Sequence, residues 1–514
     1  MANRTASSTA ATLWTTRLDR SLSVPLSRQL AVALRDALSE GRIEAGARLP
    51  STRALAAELG LARSTIVGVF EQLAAEGYII GKAGSGYFAA ASLGGSAPQR
   101  HVEPAAPRPL SRHGERMRAY QTPSSRATPL PFEPGHAEID AGFIGTWKRL
   151  AARVLSGRSS LVWNYGDPHG ELPLRRAIAD YLAAARGVRC RPEQIVLTSG
   201  TQQGLSLAVQ ILLNPGDATW VEDPCYRSTL DILRAADAEI VPVPVDEDGL
   251  DIAAGERHAA LDQRGMPPRL AYTTPSRQYP LGMAMPLARR VALLAWAAQH
   301  RAWIIEDDYE SEFQAPGQML PSLQGLDRAG RVIYLGTFSK LLFPSLRLGY
   351  AVLPEDLVAP FAGARHLADR QSSGLIQAIM TEFMLDGHFA RHLKRMRARY
   401  AERQQFLVDQ LARRLGDIVE IRPVESGMYL TAWLPPDWSD QEAAAALAAA
   451  GVTVVPLSTL TLETPRRPGL VLGYTGHGET AIARAVETMA KVLSRPIGLV
   501  NLPKPDLRSG RLRA

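Results

Sequence analysis

The chain has 514 residues, 46% hydrophobic and 21% charged. That is ordinary globular usage in a chain too long for one core, and no apolar run approaches the roughly 18–20 residues that span a bilayer. The net charge of +7 is concentrated: residues 1–130 hold 16 Lys and Arg against 9 Asp and Glu, whereas residues 131–514 hold 42 of each.

A basic excess confined to the first quarter is expected where that part meets a polyanion, although a merely solvated basic surface gives the same count. Met1–Arg20 lacks the apolar segment of a secretory signal. Cys190 and Cys225 are the only cysteines, which excludes a disulfide framework and a zinc site and suits a reducing cytoplasm. The simplest reading of both is as small, partly buried hydrophobes, and no metal is expected.

From Pro25, Leu26, Leu30, Leu34 and Leu38 recur at four-residue steps, one apolar face of a helix that Gly41 can end. The run "LPSTRALAAELGLARSTIVGVFEQLAAEG" predicts two helices around a short turn. Ser51 can cap the first, Gly60 allows the turn, and Ile66, Val69, Phe70 and Leu73 face the core from the second. "YII", "GKAGSG" and "YFAA" then predict a hairpin wing with a glycine-rich basic tip. In such a helix-turn-helix the second helix enters the major groove by its N-terminus. Arg63 can read guanine or hold phosphate there, Ser64 and Thr65 allow close approach, and Arg53 and Lys82 suit phosphates. A three-helix interaction module is the rival for the helices alone. Across "PLSRQL…LPSTRALAAELGLARSTIVGVFEQLAAEGYI…GSGYF" the chain resembles the winged head of the GntR family over about 65 residues.

Residues 91–130 are rich in Ala, Pro, Ser, Gly and Arg without apolar periodicity, which predicts a linker flexible overall and locally stiffened by proline. Beyond it, strand-like runs ("QIVLTSG", "ATWVEDP", "EIVPVPV", "RLAYTTPS", "AWIIEDDY", "RVIYLGTFS") alternate with amphipathic stretches such as "TQQGLSLAVQILL" and "LARRVALLAWAAQH". The pattern predicts an α/β domain with a largely parallel or mixed sheet, whose ligand sits beyond the strand ends.

Unusual residues fall at those ends. "AWIIEDDY" turns from apolar to acidic, and a buried carboxylate must be paired or neutralised. Lys340 follows "RVIYLGTFS", where a desolvated amine can attack an aldehyde. "TSGTQQGL" ends a strand and opens a helix whose exposed N–H groups favour an anion, and Arg347 can share it. An ordinary surface turn and a loop lysine would account for the first two singly. Together the three features call for pyridoxal 5'-phosphate.

Over roughly residues 131–495 the chain resembles fold-type I aminotransferases. The motifs "YGDPHG…LPLR", "SGTQQGL", "PGD…VEDPCY", "TPSRQYPLG", "EDDYESEF" and "GTFSKLLFPSLRLGY" occur in the family's order. The resemblance implies that Lys340 forms the internal aldimine and that Asp307 keeps the pyridine nitrogen protonated. It implies that Tyr309 bonds the phenolic oxygen, that Tyr226 lies against the ring, and that Gly200, Thr201, Gln202, Thr337 and Arg347 hold the phosphate with Ser339 nearby. Tyr165 corresponds to a tyrosine that reaches the phosphate across a subunit boundary, implying a homodimer. Chemistry alone also admits Asp308; the Asp-x-Tyr spacing favours Asp307.

Two departures stand out. "TPSRQYPLG" replaces an asparagine-rich loop and puts Arg277 where similar regulators carry histidine. "GLVLGYTG" puts Val471 where an arginine commonly meets the substrate carboxylate; Arg466 and Arg467 lie just upstream, or the effector lacks an α-carboxylate.

A winged head fused to such a body is similar to the MocR subfamily of GntR transcriptional regulators. The expected boundaries are 20–90 for the DNA-binding head, 91–130 for the linker, 131–497 for the effector domain and 498–514 for a basic tail. The resemblance implies a cytoplasmic regulator, a domain-swapped homodimer on promoter or operator DNA, that senses an amine or amino-acid-like effector by aldimine exchange with little or no transaminase turnover. The alternatives are a competent aminotransferase carrying a DNA-binding head and a body that serves only as a dimerisation scaffold.

Overall fold

The computed structural model describes residues 18–90, 109–118, 120, 128–157, 162–261, 267–314, 320–422, 427–463 and 467–494. Most of the expected linker, the basic tail and Arg466 lie outside them. The chain divides into two compact units, at Leu110/Ser111.

In the first unit, helix α1 (Leu26–Ser39) buries Leu30, Leu34 and Leu38 as its four-residue spacing predicts. Helix α2 (Thr52–Leu59) starts on Ser51, whose Oγ accepts from the Ala54 amide at 3.1 Å, and ends on Gly60 at φ 59°. Helix α3 (Arg63–Ala75) contributes Ile66, Val69, Phe70 and Leu73 to the shared core. The wing is an antiparallel hairpin of β1 (Ile79–Lys82) and β2 (Gly86–Ala89), fixed to the core by an edge contact of Phe70 with Tyr87, centroids 5.1 Å apart.

The second unit begins with a short helix α4 (Arg112–Arg118), inside the stretch expected to be linker. Ser111 Oγ accepts from the Gly114 amide at 3.0 Å, and Arg116 pairs with Asp237 at 2.7 Å. Charge pairing rather than apolar burial holds it, so hydrophobic periodicity could not reveal it.

The body of this unit is a mixed eight-stranded sheet. Its strands are β3 (Ile195–Thr198), β4 (Ala218–Asp223), β5 (Glu239–Asp246), β6 (Gly249–Leu250), β7 (Leu270–Thr273), β8 (Trp303–Asp308), β9 (Val332–Thr337) and β10 (Gly349–Val352). They lie in the order β3-β10-β9-β8-β7-β4-β5-β6, parallel from β9 through β5 and antiparallel at both margins. β3, β7 and β9 are buried throughout, as continuous apolar runs covered on both faces must be. Helices α5 (Thr201–Leu212) and α6 (Leu287–His300) are among those covering it, the latter through a stacked Trp220–Trp296 pair with centroids 4.0 Å apart.

A smaller antiparallel sheet follows, in the order β11-β12-β14-β13. It consists of β11 (Glu420–Ile421), β12 (Tyr429–Trp433), β13 (Val455–Pro456) and β14 (Gly469–Gly473). The sequence reading did not assign this sheet: two of its strands are two residues long, too short for a periodic signal.

Candidate functional site: a cofactor cradle and a DNA-reading face

Asp307 and Asp308 are consecutive residues at the carboxyl end of β8, so they point to opposite faces of the sheet. Asp308 is committed: its Oδ2 accepts from Arg186 Nε at 2.9 Å and from the Tyr334 hydroxyl at 2.6 Å, and both members of the ion pair are buried. Asp307 Oδ2 accepts from the Tyr272 hydroxyl at 2.7 Å; the Oδ1 atoms of both aspartates are buried without a hydrogen-bond partner, and what sets Asp307 apart is that a neutral hydroxyl, not a guanidinium, bonds its other oxygen. Burial pushes Asp307 up to about 7; Tyr272 and Lys340 oppose that rise, and Asp308 and Glu222 add to it. A buried carboxylate with one oxygen unclaimed is the acceptor that a protonated ring nitrogen needs, and such a cation would offset the cost of burial.

Lys340 follows β9 and donates to the Gly135 carbonyl at 3.5 Å. Its charge acts on both Asp307 and Glu310. Around it, Ser339 N donates to Thr337 Oγ1 at 3.1 Å, and Ser339 Oγ is buried without a partner. Thr337 pairs in register with Gly349 on β10, and Gly349 pairs with Thr198 on its other side. A Cβ on Gly349 would stand 2.7 Å from the Gly200 Cα, so this close approach requires glycine. Gly200 precedes α5, whose first residues are Thr201 and Gln202, and no side chain caps that helix. The Arg347 guanidinium lies beside Gly200, 3.7 Å from where a Cβ would be. Chain segments far apart in sequence thus assemble helix N–H groups, a hydroxyl pair and a guanidinium into one anion cradle.

The tyrosines divide. Tyr226, at the start of the helix Arg227–Ala235, meets Tyr279 edge-on with centroids 5.5 Å apart, and Tyr279 in turn meets Tyr309 and Tyr429. The Tyr309 hydroxyl donates to the Arg277 carbonyl at 3.0 Å and also bonds the Tyr429 hydroxyl. Tyr165 stands apart, 79% exposed, with the Arg370 guanidinium 4.3 Å from its ring centroid.

Several contributors escaped the sequence reading. Tyr272 supplies the Asp307 hydrogen bond. Glu310, pushed up to about 7 by burial against the pull of Arg277 and Lys340, pairs with Arg277 at 2.6 Å. Tyr429 lies under the Arg277 guanidinium. Tyr272 sits in a quoted strand, where alternation could have placed it facing the site. Glu310 and Tyr429 meet Arg277 from two other stretches of chain, and no spacing rule reaches them. Arg467 pairs with Glu420, and its Nε donates to the Leu434 carbonyl at 3.0 Å. It lines a cavity of about 890 Å³ whose wall includes Arg277, Thr431 and Trp433 but not Lys340 or Asp307.

In the first unit Arg63 opens α3 exposed, followed by exposed Ser64 and half-buried Thr65, while the core side of the helix is closed. No side chain caps α3, which leaves its first amides open to phosphate. Arg53 is exposed in the first turn of α2, and Lys82 is exposed at the end of β1 with its ammonium 4.9 Å from the Phe88 ring centroid. The sequence reading missed Arg48, which bridges to Phe88 and lies alongside Gly86 of the wing.

Among the described residues no helix is long and apolar enough to cross a membrane, and no group of His, Cys, Asp and Glu could hold a metal ion.

These two sites define a class: a winged-helix DNA-binding regulator whose body is a fold-type I, aminotransferase-like domain. Residues 26–88 match the family of bacterial regulatory proteins of the gntR type, and residues 141–487 match aminotransferase class I and II. The chain is similar to the probable rhizopine catabolism regulatory protein MocR of Rhizobium meliloti, at 39% identity over 92% of this chain and 94% of that protein. It is similar to the pyridoxine biosynthesis transcriptional regulator PdxR of Corynebacterium glutamicum at 30% identity, covering 91% and 95% of the two chains. Among solved structures it is similar to the α-aminoadipate aminotransferase LysN of Thermus thermophilus, complexed with N-(5'-phosphopyridoxyl)-L-leucine. That match has 28% identity and a TM-score of 0.65, covering 71% of this chain and 92% of that one. The chain belongs to the MocR subfamily of GntR transcriptional regulators, and the cofactor of its body is pyridoxal 5'-phosphate.

Proposed function

We propose that this regulator senses a small amine or amino-acid-like effector at Lys340 and converts that event into a changed hold on promoter DNA. The observation that supports it most is that Asp307, buried within electrostatic reach of Lys340, is bonded by the neutral Tyr272 hydroxyl alone, whereas Asp308 is already paired with Arg186. When bound, pyridoxal phosphate supplies an aldehyde carbon that an incoming primary amine can take over from Lys340, and a ring that withdraws electrons from it.

The chain's own residues do the rest. Asp307 holds the proton on the ring nitrogen. Gly200, Thr201, Gln202, Thr337, Ser339 and Arg347 hold the phosphate. Tyr226 and Tyr309 position the ring, and Tyr165, exposed in its own chain, serves the phosphate of a partner in a domain-swapped homodimer. The Lys340 amine would stand beside the bound group, placed to take or return a proton. Arg53, Arg63, Ser64, Thr65 and Lys82 bind double-stranded promoter DNA, with residues 20–90 as head, 91–130 as tether, 131–497 as effector domain and 498–514 as a basic tail. A cytoplasmic location suits both partners. The coupling between effector and operator is expected in the range of about 1–3 kcal/mol.

The test is an absorbance screen of amines against the purified full-length protein, paired with binding to its own upstream DNA. An effector should change the visible band of the bound cofactor and, at the same concentration, the DNA affinity. Lys340→Ala should lose the band. Repeated turnover of an amino acid with a 2-oxo acid would favour a competent aminotransferase instead.

A further inference from the structure

In the smaller sheet, β12 pairs antiparallel with β14, placing Tyr429 opposite Gly473 and Thr431 opposite Val471. Residues two apart on a strand share a face, as do residues directly opposite. Tyr429, Thr431 and Val471 therefore face the same way. That way is toward the cofactor residues, because the Tyr429 hydroxyl bonds that of Tyr309. A cation carried at position 471 would project into this space. Val471 is fully buried and offers no donor, and the Thr431 hydroxyl already donates to the Pro280 carbonyl at 3.0 Å.

The space holds a cation from the opposite wall. Arg277 arrives from the loop after β7 and lays its guanidinium 5.0 Å from the Tyr429 ring centroid. Its Nη2 donates to the Tyr429 carbonyl at 2.9 Å, and its Nε meets Glu310 Oε1 at 2.6 Å. The side chains of Arg277 and Glu310 are 2% and 1% exposed. Gly427, at φ +125°, makes the room: a Cβ there would stand 2.5 Å from the guanidinium carbon. Arg186, another buried cation near the site, is committed to Asp308, and Arg347 lies in the phosphate cradle. The wall that faces the amine thus presents an arginine already matched by a carboxylate.

We propose that the amine this regulator recognises carries no carboxylate on the carbon that bears its amino group, because the buried Arg277–Glu310 pair fills that place without net positive charge. Above about pH 7, where Glu310 is ionised, an α-carboxylate entering there would meet it at close range with the nearest guanidinium already engaged, and like charges desolvated together repel strongly. Hydrogen, alkyl or hydroxyalkyl in the same place meets no such repulsion. Arg277 and Glu310 are then specificity-determining residues.

The inference rests on the amine-sensing reading, and one experiment separates the two. Matched pairs (L-lysine and cadaverine, L-serine and ethanolamine, L-phenylalanine and phenethylamine) are titrated into full-length protein loaded with cofactor, following its visible absorption band. In the most responsive pair the decarboxylated member should reach half-change at a concentration at least tenfold lower. Glu310→Gln, which leaves Arg277 uncompensated, should narrow the gap within that pair at least tenfold. An α-amino acid acting at equal or lower concentration than its amine in the wild-type protein would overturn the inference while leaving amine sensing intact. So would a gap unchanged in a Glu310→Gln protein that retains the band. If no member of any pair changes the band of a fully loaded protein, amine sensing itself falls. The wild-type comparison stands even where the variant does not fold.

Discussion

The two units of this chain solve opposite electrostatic problems. In the head the cations proposed to meet DNA, Arg53, Arg63 and Lys82, are exposed, and the core beneath them is apolar. In that role they would act by long-range attraction to a polyanion, and solvent keeps them charged at little cost. In the body the charged groups around the proposed site are buried and must be matched: Asp308 by the Arg186 cation, Glu310 by the Arg277 cation, and Asp307 only by the neutral Tyr272 hydroxyl. A surface site tolerates loss of a member gradually. A buried network stakes the stability of its domain on each partner.

The sharpest way to break this contrast is Arg186→Ala. It strands the Asp308 carboxylate in the sheet and should cost the body about 3–5 kcal/mol, measured as the shift of its denaturant midpoint. Asp307→Asn tests the same principle with the opposite sign. Asp307 has an ordinary carboxylate range when unfolded and is held at about 7 by burial when folded. Folding therefore favours its protonated form, and the cost of burying it as an anion grows as pH rises from about 4 to about 7 and then levels off. The cofactor-free Asp307→Asn protein should match the wild type near pH 4. Above pH 7 it should be more stable by up to a few kcal/mol, on the scale of about 1.4 kcal/mol per pK unit. Its affinity for pyridoxal phosphate should fall at every pH; a wild-type affinity would remove Asp307 from the site.

In the head the expected effects are smaller and fall on binding rather than folding. Arg63→Ala should weaken operator binding by about 1–3 kcal/mol if it reads a base. Lys82→Ala should weaken all sequences alike and lower the salt slope by about 1. Neither should shift head stability beyond about 0.5 kcal/mol, by thermal melting. The exception is Ser51→Ala, which acts on folding: it removes the α2 cap and should cost the head about 1 kcal/mol, at the lower end of the range for Arg63→Ala.

The same contrast explains what the sequence made legible. The head could be read almost whole, because its helices carry their periodicity, cap and turn glycine within one short stretch. In the body, β3, β4, β5, β7, β8 and β9 were visible as apolar runs, and Lys340 and Asp307 as anomalies at their ends. Asp307 over Asp308 needed motif spacing, and the structure adds the physical reason: Arg186, more than a hundred residues away, has claimed the neighbour. Tyr272, Glu310 and Tyr429 act through space on residues that no local pattern links to them. In the smaller sheet β11 and β13 were hidden because two-residue strands have no period, and β12 and β14, the five-residue strands that carry Thr431 and Val471, are buried almost throughout and show no polar alternation. The departure at Arg277 was noticed as an oddity, but its pairing with Glu310 was invisible without coordinates.

One strand has a consequence in time as well as in space. β10 lies between β3 and β9, and Gly349 joins Thr198 on one side to Thr337 on the other. As the chain emerges during synthesis, β3 must wait some 150 residues for the neighbour that places Gly200 against Gly349. Until then the helix start at Gly200 and the Thr337 end of β9 are not held together by β10. With the phosphate held as proposed, cofactor capture would be a late event in the life of each nascent chain, waiting on closure of the large sheet.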